Sequence, residues 1–457
     1  MFTRYQAIHF VGIGGVGMSG IAEVLHNLGY DVTGSDMRES ETTARLRELG
    51  IRIFIGHHAS NVGRSHVVVI SSAVSAENPE VVAAQRKSIP VIPRAEMLAE
   101  LGRLKYGILV AGAHGKTTTT SLMATIVGEA GLDPTVVIGG KLKAMGSNAK
   151  LGQGEFLVAE ADESDGSFLR LTPTIAIITN IDMEHMDFFG TMDALKDAFL
   201  EFINKVPFYG AAVVCIENEH VREILPKISR RVVTYGLSEA ADIFAKNIAS
   251  AGARMQYEVI VRGDSLGLFT LPMPGVHNVL NSLSAIAAAL EIQVPVEIIR
   301  RGLAQFGGVH RRFEFKGEVG GIRVYDDYGH HPAEVQAVLH AARQCFGENR
   351  IVVVFQPHRY TRTRDQMEGF ARSFDKANDL LLLDIYSAGE QPIEGISAAM
   401  LAQKIAETGF GQVRHIGEKD RMLETLRREL RPGDVVFTLG AGDVYKLGEQ
   451  LLREYGA

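Results

Sequence analysis

A chain of 457 residues is too long for one ordinary hydrophobic core, and about three domains is the natural division. With 46% hydrophobic and 22% charged residues, its composition is that of a soluble globular protein and excludes a disordered one. The net charge of -7, with no basic run, excludes the electrostatic footprint of a nucleic-acid binder, so bound phosphates are expected to belong to small ligands.

Residues 7 to 12 read as a strand, and Gly12-Ile-Gly14-Gly15-Val-Gly17 opens a helix that runs to about Leu28. A second strand, Tyr30 to Gly34, ends at Ser35-Asp36. Glycines for a tight turn and an acid after the second strand make a dinucleotide-type fingerprint. It fits NAD, and equally any nucleotide diphosphate laid across a parallel sheet. The alternation continues through Ile51 to Ile55, Val67 to Ser72 and Pro90 to Ile92, with Glu77-Asn-Pro-Glu80 starting a helix. Residues 1–105 therefore form a doubly wound α/β domain. His57, Ser71 and Ser72 fall on its ligand edge, where contact with a ligand and an ordinary loop position are both open.

The strongest signal is Tyr106-Gly-Ile-Leu-Val-Ala-Gly112-Ala113-His114-Gly115-Lys116-Thr117-Thr118. Ile108 to Ala111 read as a buried strand and Ser121 to Ala130 as a helix, with a glycine turn between them. An anion there meets free N–H groups and the positive end of the helix dipole. Lys116 adds a point charge for terminal phosphates, and the Thr117 hydroxyl suits Mg²⁺. Val110 stands where the longer Walker pattern has glycine, so the match is to the shorter Gly-x-x-Gly-Lys-Thr form, and ATP is the expected ligand.

Glu155 to Ala161 is the next strand. It delivers Glu160-Ala-Asp162-Glu163-Ser-Asp165, and Thr174 to Thr179 delivers Asn180-Ile-Asp182-Met-Glu184-His185-Met-Asp187. Acids and a histidine at strand ends beside a phosphate loop suit Mg²⁺ and its waters, although not all of them can be ligands. Val213 to Ile216, Val232 to Tyr235 and Met255 to Val261 read as further strands. Pro274-Gly-Val-His277-Asn278-Val-Leu-Asn281 then starts an alanine-rich helix. Its Asn amides could read a base edge, but spacing alone favours Asn278 as a helix cap. Cys215 and Cys345 read as buried thiols of a reducing compartment. With no apolar signal core at the start and no bilayer-length stretch, a cytoplasmic chain without membrane insertion is expected.

A boundary falls near residues 312–316, after Gly307-Gly-Val-His-Arg-Arg312-Phe-Glu314, giving domains at 106–313 and 314–457. Gly321 to Asp327 ends a strand, and Tyr328-Gly-His330-His-Pro332 enters a helix through proline. Arg350 to Phe355 is a buried strand followed by Gln356-Pro-His358-Arg359-Tyr-Thr-Arg362-Thr-Arg364, three arginines read as a loop suited to a carboxylate or phosphate. Asp379 to Asp384, Gln412 to Ile416 and Asp434 to Leu439 continue the pattern. Gly440-Ala-Gly442 has no Lys-Thr partner and reads as tight packing.

In this order, Gly-Ile-Gly-Gly-Val-Gly-Met, Ala-His-Gly-Lys-Thr-Thr-Thr, Glu-Ala-Asp-Glu-Ser-Asp, His-Asn-Val-Leu-Asn, Asp-Asp-Tyr-Gly-His-His-Pro and Gln-Pro-His-Arg-Tyr-Thr-Arg-Thr resemble the Mur ligases over nearly the whole chain. The resemblance implies an α/β fold of three domains: an N-terminal Rossmann-like one, a central P-loop ATPase-like one with a mostly parallel sheet, and a C-terminal Rossmann-like one. It implies ATP- and Mg²⁺-dependent joining of L-alanine to the carboxylate of UDP-N-acetylmuramate, in peptidoglycan precursor synthesis. The sugar nucleotide would lie along Gly12, Gly14, Gly15, Gly17, Asp36, His57, Ser71 and Ser72. ATP would meet the loop from Gly112 to Thr118, with Lys116 on the β- and γ-phosphates, Asn278 and Asn281 on adenine, Arg312 on the γ-phosphate and Asp327 on the ribose. Thr117 and Glu160 would hold one Mg²⁺ and His185 a second. Tyr328, His330, Arg359 and Arg362 would take alanine. Lys196 lies where several relatives carry a carbamylated lysine, but its spacing from His185 differs. The resemblance also leaves a sister ligase that adds a preformed tripeptide, while the opening fingerprint alone permits an NAD-dependent dehydrogenase. A monomer or homodimer is expected.

Overall fold

The computed structural model describes residues 6–71, 73–103, 105–142 and 147–455. Three sheets organise them. The first is all-parallel, with β1 (Ala7–Val11), β2 (Asp31–Asp36), β3 (Arg52–Ile55), β4 (Val67–Ile70) and β5 (Val91–Pro93) in the order β3-β2-β1-β4-β5. The order reverses beside β1, which opens a crevice at the carboxyl ends of β1 and β4. Phe10 pairs with Gly34 on one side and Val69 on the other. A side chain at Gly34 would come within 2.5 Å of Ile13, so glycine is what lets the turn after β1 lie on β2.

The second sheet holds β6 (Tyr106–Ala111), β7 (Thr135–Leu142), β8 (Ser147–Lys150), β9 (Phe156–Glu160), β10 (Ile175–Ile178), β11 (Ala211–Cys215), β12 (Val232–Gly236), β13 (Ile243–Ala251), β14 (Arg254–Val261) and β15 (Asp264–Leu271). Their order is β15-β14-β13-β12-β11-β10-β6-β9-β7-β8, with β6 central between β9 and β10. β6, β9, β10 and β11 run parallel and read as buried apolar runs, as strands covered on both faces must. β7, β8, β13 and β15 were not foreseen from the sequence.

The third sheet holds β16 (Glu314–Val319), β17 (Ile322–Asp327), β18 (Ile351–Phe355), β19 (Asp379–Leu383), β20 (Val413–Gly417) and β21 (Val435–Leu439), in the order β16-β17-β21-β18-β19-β20. Only the edge strand β16 is antiparallel. Its faces alternate: Val353, Phe355 and Phe437 enter one core, Val352, Val354 and Val436 the other. Contacts divide the chain into two compact units, Met1–Lys246 with Glu258–Phe269 and Leu280–Gly307, and Asn247–Tyr257 with Thr270–Val279 and Gly308–Ala457. Within the first unit one apolar core joins Phe10 and Ile21 of the first sheet's layer to Leu157, Phe199 and Phe202 of the second. Among the described residues no helix is long and apolar enough to cross a membrane. Cys215 is buried as expected, but Cys345 is only half-buried, and both thiols are free.

Candidate active site

β6 ends at Ala111, and the chain turns through Gly112 (φ 132°) and Gly115 (φ 84°) into the helix Lys116–Glu129. The helix therefore begins at the lysine itself, five residues before the expected start, because Gly115 reverses the backbone where a side chain would be strained. A Cβ on Gly112 would collide with Thr179 Oγ1, and one on Gly115 would lie 2.5 Å from Asn281 Oδ1. No side chain caps this helix, so its first N–H groups face the turn.

Two residues that the sequence reading passed over hold the turn in shape. Asn180 Oδ1 accepts from His114 N–H at 2.8 Å, and its Nδ2 donates to the His114 carbonyl at 2.9 Å. Thr179 Oγ1 donates to the same carbonyl at 2.6 Å, and Ala113 N–H donates to the Asn180 carbonyl at 3.2 Å. His114 Nε2 lies 3.0 Å from Asp182 Oδ2. The signal was available: an amide two residues after β10, the strand paired with β6.

Lys116 donates to Glu163 Oε1 and Oε2 at 2.8 and 2.9 Å and to the Gly112 carbonyl at 2.6 Å. Burial works against its charge, but the carboxylates of Glu163 and Asp162 outweigh it and hold the ammonium well above its ordinary range. Asp162 also receives Arg94 at 3.3 Å, and Asp165 accepts from Ser167 N–H, the local capping role open to some of these acids. Glu160, opposite Val110 in the β6–β9 ladder, accepts from Gly139 N–H at 2.7 Å. His185, at φ 58°, has Nε2 3.9 Å from both Glu163 and Glu184, and these three can bring one ligand atom each to a common point. Of the expected metal ligands, His185 is thus grouped with Glu163 and Glu184. Lys196 is engaged by Glu223 at 2.7 Å and Asp193 at 3.0 Å. The side chain of Asp187 lies outside the described residues.

On the first sheet, Gly12 (φ 78°) and Ile13 both donate to the Ser35 carbonyl at 2.9 Å. Gly14 N–H donates to Asp36 Oδ2 at 2.8 Å, so one oxygen of the acid meant for a ribose braces the glycine turn. Gly15 and Gly17 flank the start of the helix Val16–Asn27, and a Cβ on Gly17 would meet the Arg94 guanidinium. His57 Nδ1 lies 3.0 Å from Ser35 Oγ, and Ser71 lies near Gly12. Ser72 lies outside the described residues.

In the second unit, Asp327 ends β17 almost fully buried and accepts from Phe313 N–H and Gly329 N–H, both at 2.7 Å. Burial raises its carboxyl to about 6, against the pull of Arg312 and the two amides. Arg312 lies over the Tyr328 ring at 5.3 Å. Its neighbour Arg311, unforeseen, donates to Asp326 at 2.9 Å and to the Gly442 carbonyl at 3.1 Å, and lies over Tyr328 and Tyr445. This uses the Gly440-Ala-Gly442 turn as packing: a Cβ on Gly440 would come 2.6 Å from the Gln356 carbonyl. Asn278 is not a cap. The helix spans Val276–Glu291, and Asn278 Nδ2 donates back to the Pro274 carbonyl at 2.7 Å.

The arginine loop is partly helical. Arg362 and Arg364 lie in the helix Tyr360–Asp365, with Arg359 just before it at φ 72°. Arg364 turns to Asp365 at 2.6 Å, apart from the others. Arg359 donates to Glu390 at 2.6 Å, and Glu390 also accepts from Thr361, a brace distant in sequence. Arg362 Nη1 lies 3.4 Å from His358 Nδ1, and the His330 and His358 rings are 5.9 Å apart. Burial, with His330 and Arg362 nearby, takes His358 down to about 3, so it is neutral at neutral pH.

The two units thus carry an anion cradle with a metal-suited acidic rim, a glycine turn at a sheet crevice, and an arginine pair beside an imidazole. Three family models match in the same order: the Mur ligase family catalytic domain over residues 7–106, the Mur ligase middle domain over 110–289 and the Mur ligase glutamate ligase domain over 311–442. The chain is 57% identical over 452 residues to the UDP-N-acetylmuramate–L-alanine ligase of Geobacter sp. (strain M21), covering 99% of this chain and 98% of that one. It is also 57% identical over 443 residues to the enzyme of the same name from Sorangium cellulosum, covering 96% and 94%. Among solved structures, the UDP-N-acetylmuramate-alanine ligase of Thermotoga maritima superposes with a TM-score of 0.85 at 30% identity over 98% of this chain and 99% of that one. A murein peptide ligase from Psychrobacter arcticus shares the fold, with a TM-score of 0.73 at 24% identity over 99% of each chain. Matched along nearly its whole length by these models and relatives, the chain belongs to the Mur ligase family.

Proposed function

We propose that the chain joins L-alanine to the lactyl carboxylate of UDP-N-acetylmuramate, with cleavage of ATP to ADP and phosphate, as a cytoplasmic step of peptidoglycan precursor synthesis. Full-length identity above one half to ligases of that name supports the substrates, and the cradle ending in Lys116 carries the chemistry. A carboxylate is a poor electrophile for an amine, so it must first acquire a leaving group. A carboxylate oxygen attacks the γ-phosphorus and ADP departs. The neutral alanine amine then adds to the carbonyl of the acyl phosphate, and the tetrahedral intermediate collapses to amide and phosphate as the nitrogen loses a proton.

On this reading residues 1–105 hold the sugar nucleotide along Gly12, Gly14, Gly15, Gly17, Asp36, His57 and Ser71. Residues 106–313 hold ATP, and 314–457 hold alanine. Lys116 and Arg312 offset charge on the transferring phosphoryl group. The turn from Gly112 to Thr118 cradles the phosphates, Asn278 and Asn281 bound the adenine, and Asp327 accepts from the ribose. The hard oxygen donors of Thr117 and Glu160 would hold one Mg²⁺, and His185, grouped with Glu163 and Glu184, a second, which together would supply positive charge to the polyphosphate. Arg359 and Arg362 take the alanine carboxylate, with Tyr328 and His330 beside its amine and side chain.

The test is phosphate release from ATP and Mg²⁺ with UDP-N-acetylmuramate and each amino acid or the tripeptide in turn. Release with alanine is expected. Release only with the tripeptide would assign the sister activity, and none with any acceptor would sink a ligase reading.

A further inference from the structure

A second polar cluster occupies the ligand edge of the first sheet. Glu80, in the first turn of the helix Pro79–Arg86, is fully buried, yet groups from distant stretches converge on its carboxylate. Ser35 Oγ–H donates to Oε2 at 2.5 Å, Asn61 Nδ2 donates to Oε1 at 2.5 Å, and His58 N–H donates to Oε1 at 3.4 Å. His57 Nδ1 lies 3.2 Å and His9 Nε2 3.7 Å from Oε2. Burial pushes Glu80 up, but the neighbouring His9 ring and hydrogen bonds from Ser35 and Asn61 outweigh it and hold the carboxyl at about 2, so it is ionised at neutral pH.

Counting protons places a hydrogen on His57 Nδ1. The single hydroxyl proton of Ser35 goes to Glu80, so Ser35 Oγ meets His57 Nδ1, 3.0 Å away, as an acceptor. Glu80 Oε2 meets it as an acceptor too. A ring nitrogen between two acceptors carries hydrogen, and in the neutral imidazole Nε2 then holds a lone pair. Among the described residues, Nε2 has no protein partner and is not a buried atom. Ser35 also receives Gly12 and Ile13 N–H on its carbonyl, which couples this network to the glycine turn.

We propose that Glu80 is a positioning residue of the nucleotide-sugar site: it holds His57 in the Nδ1–H tautomer, so that Nε2 accepts a hydrogen bond from the uridine moiety, whose donors are its ribose hydroxyls and imide N–H. This rests on residues 1–105 holding UDP-N-acetylmuramate, as proposed above. In Glu80→Gln the volume is kept, but the amide can present N–H groups to His57 and release the tautomer.

Calorimetric binding of UDP-N-acetylmuramate and of UDP to wild type, Glu80→Gln, His57→Ala and the double variant tests it, together with ¹⁵N spectra of the histidine rings. Glu80→Gln is expected to raise Kd for both ligands about tenfold, the scale of one lost buried hydrogen bond. His57→Ala should add little on top of it, KM for ATP should hold, and the His57 signals should shift from the Nδ1–H pattern. Glu80→Asp, which keeps the charge but withdraws the carboxylate from His57 by one methylene, should move Kd the same way and serves if Glu80→Gln does not fold. A lowered Tm with Kd and the ring spectrum unchanged would overturn the inference and make the cluster a structural brace. Wild type that binds no UDP-N-acetylmuramate would overturn the functional reading, and the inference with it.

Discussion

Asp327 gives the candidate ATP site a pH dependence. Its folded carboxyl sits at about 6, above the ordinary 3.8, because burial penalises the charge more than Arg312 and two amides reward it. The folded chain therefore holds this proton more tightly than the unfolded chain. Its contribution to stability falls as pH rises from about 4 to about 6. Function runs the other way, since the ionised form is the better acceptor for a ribose hydroxyl. KM for ATP should rise as pH falls through about 6 and flatten in Asp327→Asn, checked by steady-state kinetics from about pH 5 to about pH 8. Lys116→Ala should abolish turnover and also leave Glu163, 2% exposed, without its partner. Thermal unfolding should then show a loss of up to about 3–5 kcal/mol, less whatever Glu163 recovers by taking a proton.

The helix Lys116–Glu129 carries two opposite expectations. Gly115→Ala forces a side chain to φ 84° against Asn281, so it should cost about 1–3 kcal/mol and weaken ADP binding, both visible in a melt with and without nucleotide. Farther along, Thr119, Thr120 and Ser121 are buried, and their hydroxyls find no partner among the described residues. Thr120→Val removes an unpaired polar atom at nearly constant volume, so Tm should hold or rise. This helix was legible because a strand, glycines and Lys-Thr meet in sequence. Arg311, Glu390 and the pairing of Glu163 with Lys116 were harder to find, since each acts on a residue far away along the chain. No local pattern marks a polar group whose partner is supplied by the fold. Of the strands missed, β15 and β8 are the two edges of their sheet, β13 and β15 expose much of their length, and β7 contains a Gly-Gly pair.

For the molecule as a whole, the parallel architecture was readable because buried strands such as Ile351–Phe355 are continuous apolar runs between helical stretches. The third sheet has an apolar core on each face, built from its own residues. A fragment spanning 308–457 should therefore fold alone with a single urea transition. Lys116→Ala, at the start of the helix that follows β6 of the second sheet, should leave UDP-N-acetylmuramate binding within about twofold of wild type by calorimetry. Loss of sugar-nucleotide binding in an otherwise folded variant would count against the proposed division of labour.

All three hydrogens of the Lys116 ammonium are spoken for, two by Glu163 and one by the Gly112 carbonyl. A polyphosphate reaching it makes an exchange, displacing a resident counter-ion, so its affinity is a difference between two ion pairs. A singly charged anion such as bicarbonate brings less charge to that exchange than a polyphosphate does. The resident pair thus tilts the turn toward a densely charged visitor.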